Sequence, residues 1–358
     1  MTCVITQIEQ RRFSFRHGGG NARIQWSERE GIALRVHGPD GAFGVGEATP
    51  LPGYSPDSLA DCERDLARFA AAVPVVFGEP VIDAIPRVYA ELGIASPAAR
   101  FAIETAVLDL ASKRHGIPLW EMLRGERAGA APVALSAAIG ESAVASAQAA
   151  VLRGIRTVKM KVGRPHRFED ELEALRGLRA LGGELRVRAD ANGVWTREEA
   201  MARVSLLRPF DLEFLEEPCS LDGWKELAAS GIALAADESL QSERGVDAAL
   251  RLAQDGVCRV FVLKATALGG LIRCLRIARL ARAQRAEVVV THMFEGPIAH
   301  AASLDLALAL QPKLACGLDT APHAGQWPRA TLVRMGDGYA LPGTSAGLGI
   351  ESHWMIPS

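Results

Sequence analysis

From Pro132 onwards, short apolar runs recur along the chain, and stretches with helical spacing of apolar residues lie between them. Runs of this length are typical of buried strands, and stretches of this kind predict amphipathic helices. Helices are predicted at residues 169–181, 197–207 and 271–284, among others. The eight predicted strands are residues 133–137, 157–162, 185–189, 212–215, 234–236, 260–263, 288–290 and 314–316. Strands and helices in this alternating order favour a parallel (β/α) barrel.

The chain before this region has a different order of elements. Residues 1–50 predict strands, and helices follow them, one beginning near Asp57 or Ser58. Another is expected to begin at Ser96-Pro97, where serine caps the helix and proline occupies its first turn, and to end near Gly116. Strands followed by helices indicate a separate α+β domain. We therefore predict an α+β domain at residues 1–125, a barrel at 126–320, and a tail at 321–358 that returns to the first domain.

Charged residues stand at the ends of five consecutive predicted barrel strands. They are Lys159 and Lys161, Asp190, Glu216, Asp237 and Lys264. In a barrel these strand ends meet at one mouth, where the active site lies. Three carboxylates gathered there repel one another unless a cation or the lysines compensate. Oxygen ligands favour Mg²⁺, with Mn²⁺ as the alternative. Glu217 is a rival to Glu216, but consecutive strand residues face opposite ways, so only one of the two points inward.

The lysines suit proton transfer. Lys159 and Lys161 share one face of a strand, and two close ammonium groups lower each other's pKa, which moves a lysine toward use as a base. Lys264 ends a strand on the far side of the barrel, where an unpaired buried lysine is costly unless it has a function.

Two other features have both a functional and a structural interpretation. Gly269-Gly270 at a strand–helix junction either offers amides to an anion or is a simple turn. His292 is either a second acid–base group or a structural residue.

Composition and charge limit the kinds of binding partner that are expected. The chain has 358 residues, 49% hydrophobic and 23% charged, with a formal charge of −2. This balance is ordinary for a soluble globular protein and argues against nucleic acid or a membrane surface as the main partner. Six scattered cysteines without a C-x-x-C pair, and no apparent signal peptide, are typical of a cytoplasmic protein. A small-molecule carboxylate is the expected partner, and homo-oligomerisation is left open.

The combined motifs resemble the enolase superfamily, in its muconate-lactonizing enzyme subgroup. Lys159-Met160-Lys161 resembles the family's K-x-K motif, and Lys264 its opposite lysine. Asp190, Glu216 and Asp237 match its three metal ligands, and the segment from Ala99 to Ala106 resembles its capping-domain helix. The resemblance implies a modified (β/α)7β TIM-type barrel, with an α+β capping domain formed by the N-terminal region and the C-terminal tail. It also implies α-proton abstraction with Mg²⁺ stabilising an enediolate, as known for this superfamily.

Two segments bear on which member the chain resembles. The loop from Gly46 to Ser55 resembles that of o-succinylbenzoate synthases, and Gly317-Leu318-Asp319-Thr320 resembles a stretch found in some of them. Dipeptide epimerases usually carry D-x-D here, and Gly317 replaces the first Asp. Met293-Phe294-Glu295-Gly296 is closer to muconate cycloisomerases, and Ala265 replaces a proline that is common in the synthases.

The resemblance leads us to expect a carbon–oxygen lyase. The expected reaction is dehydration of 2-succinyl-6-hydroxy-2,4-cyclohexadiene-1-carboxylate to o-succinylbenzoate, a step of menaquinone biosynthesis. Lys161 is the expected base, Lys159 polarises the substrate carboxylate, and Lys264 is a cation on the opposite face. The expected substrate contacts are Gly53, Tyr54, Ser55, Asn192, Gly269, Gly270, Glu295 and Asp319.

Other functions remain open at this point. The alternatives of the same class are isomerases: a dipeptide epimerase, an N-succinylamino acid racemase and a muconate-type cycloisomerase. A non-catalytic binding protein on the same fold is the alternative of a different class.

Overall fold

A computed structural model of the chain describes residues 2–20, 24–126, 129–140, 142–319 and 335–350. Within them the fold is α/β: a curled parallel sheet closes into a barrel, and an N-terminal α+β part covers one of its ends. Thr320 of the G-L-D-T segment, and residues 321–334 and 351–358 of the predicted tail, lie outside the described residues.

The N-terminal part, called the cap below, combines antiparallel strands with helices. β2 pairs with β3, β4 pairs with the other edge of β3, and β1 pairs with β5. The strands are β1 (Cys3–Ile5), β2 (Gln7–Gly20), β3 (Gln25–His37), β4 (Phe43–Ala48) and β5 (Val75–Phe77), and the helices are α1 (Leu59–Ala71), α2 (Val81–Leu92), α3 (Pro97–His115) and α4 (Leu119–Arg124).

The barrel follows in strand–helix alternation. Seven strands lie side by side in chain order, all parallel, which is the arrangement that the apolar runs predict. The elements are β7 (Ser136–Ile139), α5 (Ala143–Leu152), β8 (Thr157–Lys161), α6 (Phe168–Ala180), β9 (Arg186–Asp190), α7 (Arg197–Leu207), β10 (Leu215–Glu216), α8 (Trp224–Leu227), β11 (Leu234–Ala236), α9 (Glu243–Gln254), β12 (Cys258–Leu263), α10 (Ala265–Leu268), α11 (Leu271–Ala283), β13 (Glu287–Val290) and α12 (Pro297–Leu310).

The predicted eighth strand closes the barrel as two parallel bridges. Cys316 pairs with Leu135 beside β7, and Gly317 pairs with Thr291 beside β13. The predicted strand at 133–137 is split: β6 (Val133–Ala134) leaves the barrel and pairs with β15 (Tyr339–Ala340), which pairs with β14 (Met335–Gly336). The predicted strand at 212–215 forms only as β10, whose two residues pair with Ala189 and Asp190 of β9 and with Leu234 and Ala235 of β11.

The described part of the tail contacts α3 and α4. The amide of Leu119 donates to the carbonyl of Gly347 at 2.9 Å, and the indole of Trp120 donates to the carbonyl of Gly343 at 2.9 Å. The buried carboxylate of Asp109 accepts the amide of Leu348 at 2.8 Å.

Helix α3 is the central element of the cap. Its cap serine, Ser96, accepts the amide of Ala99, and Gly116 ends it in the left-handed conformation, as the sequence predicts. The helix packs so closely on β4 that a Cβ atom at Gly46 would lie 1.9 Å from the carbonyl oxygen of Ala102. Glycine on β4 is therefore what allows the two backbones to meet.

The barrel interior below its charged rim is mostly apolar. Phe214, Ala235, Val260, Val262 and Val289 form a buried cluster inside the strands, separate from the main core between strands and helices. Arg188 of β9 also lies in this interior, where it pairs with Glu213. All six cysteines are buried and unpaired. None of the helices in the described segments is both long enough and apolar enough to cross a membrane.

Candidate active site

The carboxyl ends of the barrel strands bring the predicted charged residues together. Lys161 pairs in register with Asp190 on β9, which pairs with Glu216 on β10. Asp237 directly follows β11, and Lys264 directly follows β12. The three carboxylate residues are at most 2% exposed and Lys264 is 8% exposed, so these charges interact in a site largely shielded from water.

Lys159 bridges two of the carboxylates. Its Nζ lies 2.9 Å from Asp190 Oδ2 and 2.9 Å from Glu216 Oε1. Burial opposes the charge of Lys159, but Asp190 and Glu216 outweigh it and raise its pKa. Burial also opposes ionisation of Asp190, yet the surrounding lysines, Lys159 foremost, lower its pKa to about 2. Burial and the charge of Asp190 raise the pKa of Glu216.

Lys161 has a different environment. Its Nζ donates to Asn192 Oδ1 at 3.3 Å. Burial lowers the pKa of Lys161 to about 8, and the charges of Lys159 and Lys264 add to this effect while Asp190 opposes it. Lys161 therefore loses its proton more readily than an ordinary lysine.

Lys264 is held as a cation. Its Nζ pairs with Asp237 Oδ2 and donates to the hydroxyl of Tyr54 at 2.9 Å, and that hydroxyl donates to Asp237 Oδ1 at 2.8 Å. Burial alone would lower the pKa of Lys264, but Asp237 and Glu238 outweigh it and raise the pKa. Tyr54 belongs to the cap, so this contact joins the cap to the barrel at the site.

All the strand-end charges except Asp237 line a cavity with an apolar roof. The roof comes from three places. They are Leu51 and Tyr54 in the cap loop (residues 49–55), Trp26 on β3, and Met293 and Phe294 in the barrel loop (residues 292–296). Trp26 donates its indole N–H to the carbonyl of Pro52 at 3.1 Å, which ties β3 to the cap loop. The other lining residues are Ser136, Ala138, Lys159, Lys161, Arg188, Asp190, Asn192, Phe214, Glu216, Lys264, Val289, Thr291, His292 and Gly317.

Several lining residues were not among the sequence candidates. Arg188 and Phe214 stand two residues before Asp190 and Glu216, so the strand period of two was a signal for their inward direction. Arg188 is 1% exposed, and its guanidinium lies 4.6 Å from the ring centroid of Phe214. Trp26 had no local signal, because a long strand of the cap carries it to the barrel.

Six of the eight predicted substrate contacts, Gly53 among them, lie outside the cavity lining. Ser55 accepts the amide of Leu51, Glu295 accepts the amide of Met293 and the hydroxyl of Thr266, and Asp319 pairs with Arg153. The amides of Gly269 and Gly270 both donate to the carbonyl of Ala265, and Glu104 of the cap accepts the amide of Ile272 at 2.7 Å. A protein carboxylate thus occupies the position suggested for a substrate anion.

The remaining predicted contacts are at or near the cavity. Asn192 and Tyr54 line it. Gly53 does not line it but has a left-handed φ of +75°, and a Cβ there would meet Ile24, so it shapes the cap loop. Glu217 faces away from Glu216 and accepts the amide of Asp237 at 2.7 Å. Glu216 is therefore the member of the pair that faces the site, and Glu217 supports the neighbouring strand end.

The carboxylates suit a hard divalent cation in their chemistry. Asp190, Glu216 and Asp237 present only oxygen, and the charge of Asp190 raises the pKa of Glu216, a repulsion that a cation relieves. In this structure the carboxylates are turned toward Lys159 and Lys264, and in the described parts of the chain no three His, Cys, Asp or Glu side chains are arranged as a metal cluster.

Comparison with known families matches nearly the whole chain. A family model described as "Enolase C-terminal domain-like" matches residues 142–355, and one described as "Mandelate racemase / muconate lactonizing enzyme, N-terminal domain" matches residues 21–124. The two matches correspond to the barrel with its tail and to the cap.

Individual relatives carry different activities. Muconate cycloisomerase 1 of Pseudomonas putida is 32% identical, over 78% of this chain and 76% of its own. An o-succinylbenzoate synthase of Thermosynechococcus vestitus is 30% identical, over 86% of this chain and 88% of its own. The solved structure of a dipeptide epimerase from Methylococcus capsulatus, complexed with Mg and the dipeptide L-Arg-D-Lys, superimposes with a TM-score of 0.80 at 28% identity, covering 97% of this chain and 99% of that one.

Proposed function

Because the chain belongs to the enolase superfamily, as its matches to both domain models show, we propose that it is an Mg²⁺-dependent o-succinylbenzoate synthase. The proposed substrate is 2-succinyl-6-hydroxy-2,4-cyclohexadiene-1-carboxylate, which loses water to give o-succinylbenzoate. One observation carries the proposal: the two lysines on opposite sides of the site have opposite protonation tendencies. Burial lowers the pKa of Lys161 to about 8, whereas Asp237 and Glu238 keep Lys264 protonated.

This difference favours chemistry with a single base. A racemase or epimerase needs a base on each face of the substrate, whereas the pairing of Lys264 with Asp237 favours its cationic form. In a dehydration, Lys161 takes the α-proton and returns it to the departing hydroxyl, so that water leaves and no net proton is consumed. Lys264 then needs only to supply positive charge on the other face.

The surroundings of Gly317 also argue against a dipeptide. A substrate ammonium group calls for an acidic side chain, and Gly317 has none. A Cβ atom at this position would lie 2.9 Å from Thr291 Cγ2, so a larger residue would displace its neighbour. Arg188, which also lines the cavity, has its guanidinium paired with Glu213, so the lining there offers no free carboxylate to an ammonium group.

The metal would be held by Asp190, Glu216 and Asp237, and when bound it would supply positive charge to the substrate carboxylate. The chain's own groups do the rest. Lys161 moves the proton, and Lys159 adds a second positive charge beside the carboxylate. The roof formed by Trp26 and Leu51 excludes water from the reacting groups.

A muconate-type cycloisomerase is the second candidate. It needs only one proton-transferring lysine as well, and the Pseudomonas putida relative of that name is 32% identical. Met293 and Phe294, from the segment that resembles the cycloisomerases, are part of the cavity lining.

Turnover of three substrates by the purified protein with Mg²⁺ tests the proposal. The cyclohexadiene carboxylate, cis,cis-muconate and L-Ala-L-Glu are compared by kcat/KM, followed by ultraviolet absorbance or, for the dipeptide, by chromatography of the epimers. We expect the cyclohexadiene to be preferred by at least about 100-fold, since correct placement of reacting groups is worth several powers of ten. Chelation should abolish turnover and Mg²⁺ or Mn²⁺ should restore it. A preference for muconate or the dipeptide would overturn the assignment.

A further inference from the structure

A buried arginine of the cap holds two segments of chain on either side of the cavity. Arg29 lies on β3 and is 1% exposed. Its Nη2 and Nη1 donate to the carbonyls of Thr49 at 3.0 Å and Pro50 at 2.9 Å, at the start of the cap loop. Its Nε donates to the carbonyl of Phe294 at 3.1 Å, in the barrel loop after β13. One guanidinium therefore fixes the cap loop and a barrel loop relative to each other.

The barrel loop needs such support. Phe294 has a φ of +59°, in the left-handed region that is unfavourable for a residue with a side chain. Its ring nevertheless lines the cavity and lies 6.3 Å from the ring of Trp26. The hydrogen bond from Arg29 to the carbonyl of Phe294, together with the one from the amide of Phe294 to His292 Nδ1 at 3.0 Å, holds this conformation.

A second residue of the cap acts on the same loop. Glu47, on the neighbouring strand β4, is completely buried and accepts the amides of Gly296 at 2.6 Å and Ile298 at 3.1 Å. A Cβ atom at Gly296 would lie 2.8 Å from this carboxylate, so the loop fits closely against it. Arg29 and Glu47 thus hold consecutive parts of the barrel loop from two adjacent strands.

We infer that Arg29 is a positioning residue that sets substrate affinity. It holds the cap loop, with Leu51 and Tyr54, and the ring of Phe294 as facing walls of the cavity. Its Nε, Nη1 and Nη2 atoms reach three carbonyls on two segments, a geometry that the single ammonium of lysine cannot reproduce. The inference rests on the proposed function only in taking this cavity as the place where substrate binds.

The experiment compares Arg29→Lys with Arg35→Lys. Arg35 lies on the same strand, with its guanidinium 4.5 Å from the ring centroid of Phe43 and outside the cavity lining. Steady-state kinetics separate KM from kcat. Hydrogen–deuterium exchange, which needs no substrate, measures how fast the backbone amides of residues 49–55 and 292–296 exchange. For Arg29→Lys we expect KM to rise at least about tenfold, because bonds to a charged donor are lost. We expect kcat to change less than about threefold, and faster exchange in both segments. Arg35→Lys should leave KM, kcat and the exchange rates unchanged.

Each outcome decides the matter. A fall in kcat at constant KM, faster exchange in only one segment, or equal behaviour of the two variants would overturn the inference. If Arg29→Lys does not fold, Glu47→Gln loosens the same barrel loop and must give the same selective rise in KM; an unchanged KM would overturn the inference. Because exchange needs no substrate, coupled loosening in a protein that fails to dehydrate the cyclohexadiene would refute the proposed function and leave the positioning role standing.

Discussion

The protonation state of Lys161 is the property of a single residue that most directly controls the proposed reaction. Burial, with Lys159 and Lys264 adding to it, lowers the pKa of Lys161 to about 8. The base must be neutral, so kcat/KM should rise with pH through an apparent pKa near 8 and then level. Lys161→Ala should lower kcat by about 10²- to 10⁴-fold, the usual effect of removing a general base. A pH–rate profile from 6 to 10 checks both expectations, and a flat or falling profile would exclude Lys161 as the base.

Lys264 should respond differently to substitution, because its proposed role requires charge and no proton transfer. Lys264→Arg keeps a permanent cation beside Asp237 and should retain part of the activity, whereas Lys264→Ala should lose at least about 100-fold in kcat. Solvent exchange in D₂O with N-succinylated amino acids of each hand is the complementary measurement. Exchange and interconversion of both enantiomers would show that Lys264 acts as a base, contrary to the single-base proposal.

At the scale of elements, the close contact between β4 and α3 has a measurable consequence. A Cβ atom at Gly46 would lie 1.9 Å from the carbonyl oxygen of Ala102, and backbone on both sides leaves little room to adjust. Gly46→Ala should destabilise the protein by about 1–3 kcal/mol, the usual cost of overpacking. Gly78→Ala is the matched control, since no atom lies within 4 Å of a Cβ there. Thermal unfolding of both variants tests this, and equal melting temperatures would show that the contact is looser.

The elements differ in how far local sequence predicts them. Ser96, Pro97 and Gly116 specify both ends of α3 by local capping, and the bounds agree with the structure. The barrel strands were recognisable because buried parallel strands are continuous apolar runs. The split of the predicted strand at 133–137 could not be recognised in the same way. The part that leaves the barrel pairs with β15, some 200 residues further along the chain. Such pairing has no signature in the segment itself.

The site shows the same division. Charged residues at successive strand ends were predictable as one cluster, because barrel topology brings those ends together. The roof was only partly foreseen: Tyr54 came from a recognisable loop, but Trp26 reaches the cavity through the packing of β3 over the barrel. The surroundings of Gly269 and Gly270 were not foreseen for a similar reason, since Glu104, which accepts the amide of Ile272, comes from a distant helix of the cap.

At the scale of the whole molecule, buried carboxylates of the cap dock against the first turns of barrel helices. Glu104 on α3 accepts the amide of Ile272 at the start of α11, and Glu47 on β4 accepts the amide of Ile298 at the start of α12. Favourable interaction with helix N-termini holds the cap to the barrel. Burial has the largest effect on the pKa of each carboxyl group and raises it, to about 8 for Glu104 and to about 7 for Glu47.

This docking predicts how stability depends on pH. A carboxyl group whose pKa is raised in the folded state binds a proton more tightly there than in the unfolded chain. Its contribution is therefore present in full below the unfolded value, near 4.5, and is lost as pH rises through the folded value, near 8 for Glu104. The melting temperature of the wild-type protein should fall as pH is raised from 5 to 8.

Glu104→Gln isolates that contribution, because the amide keeps an acceptor for Ile272 but does not titrate. The variant should show a smaller loss of melting temperature between pH 5 and pH 8 than the wild type. Glu173→Gln is the control, since this glutamate lies on α6 with its side chain 73% exposed, and it should follow the wild-type curve. If Glu104→Gln and wild type changed in parallel across this range, Glu104 would not be the group through which pH acts on the attachment of the cap to the barrel.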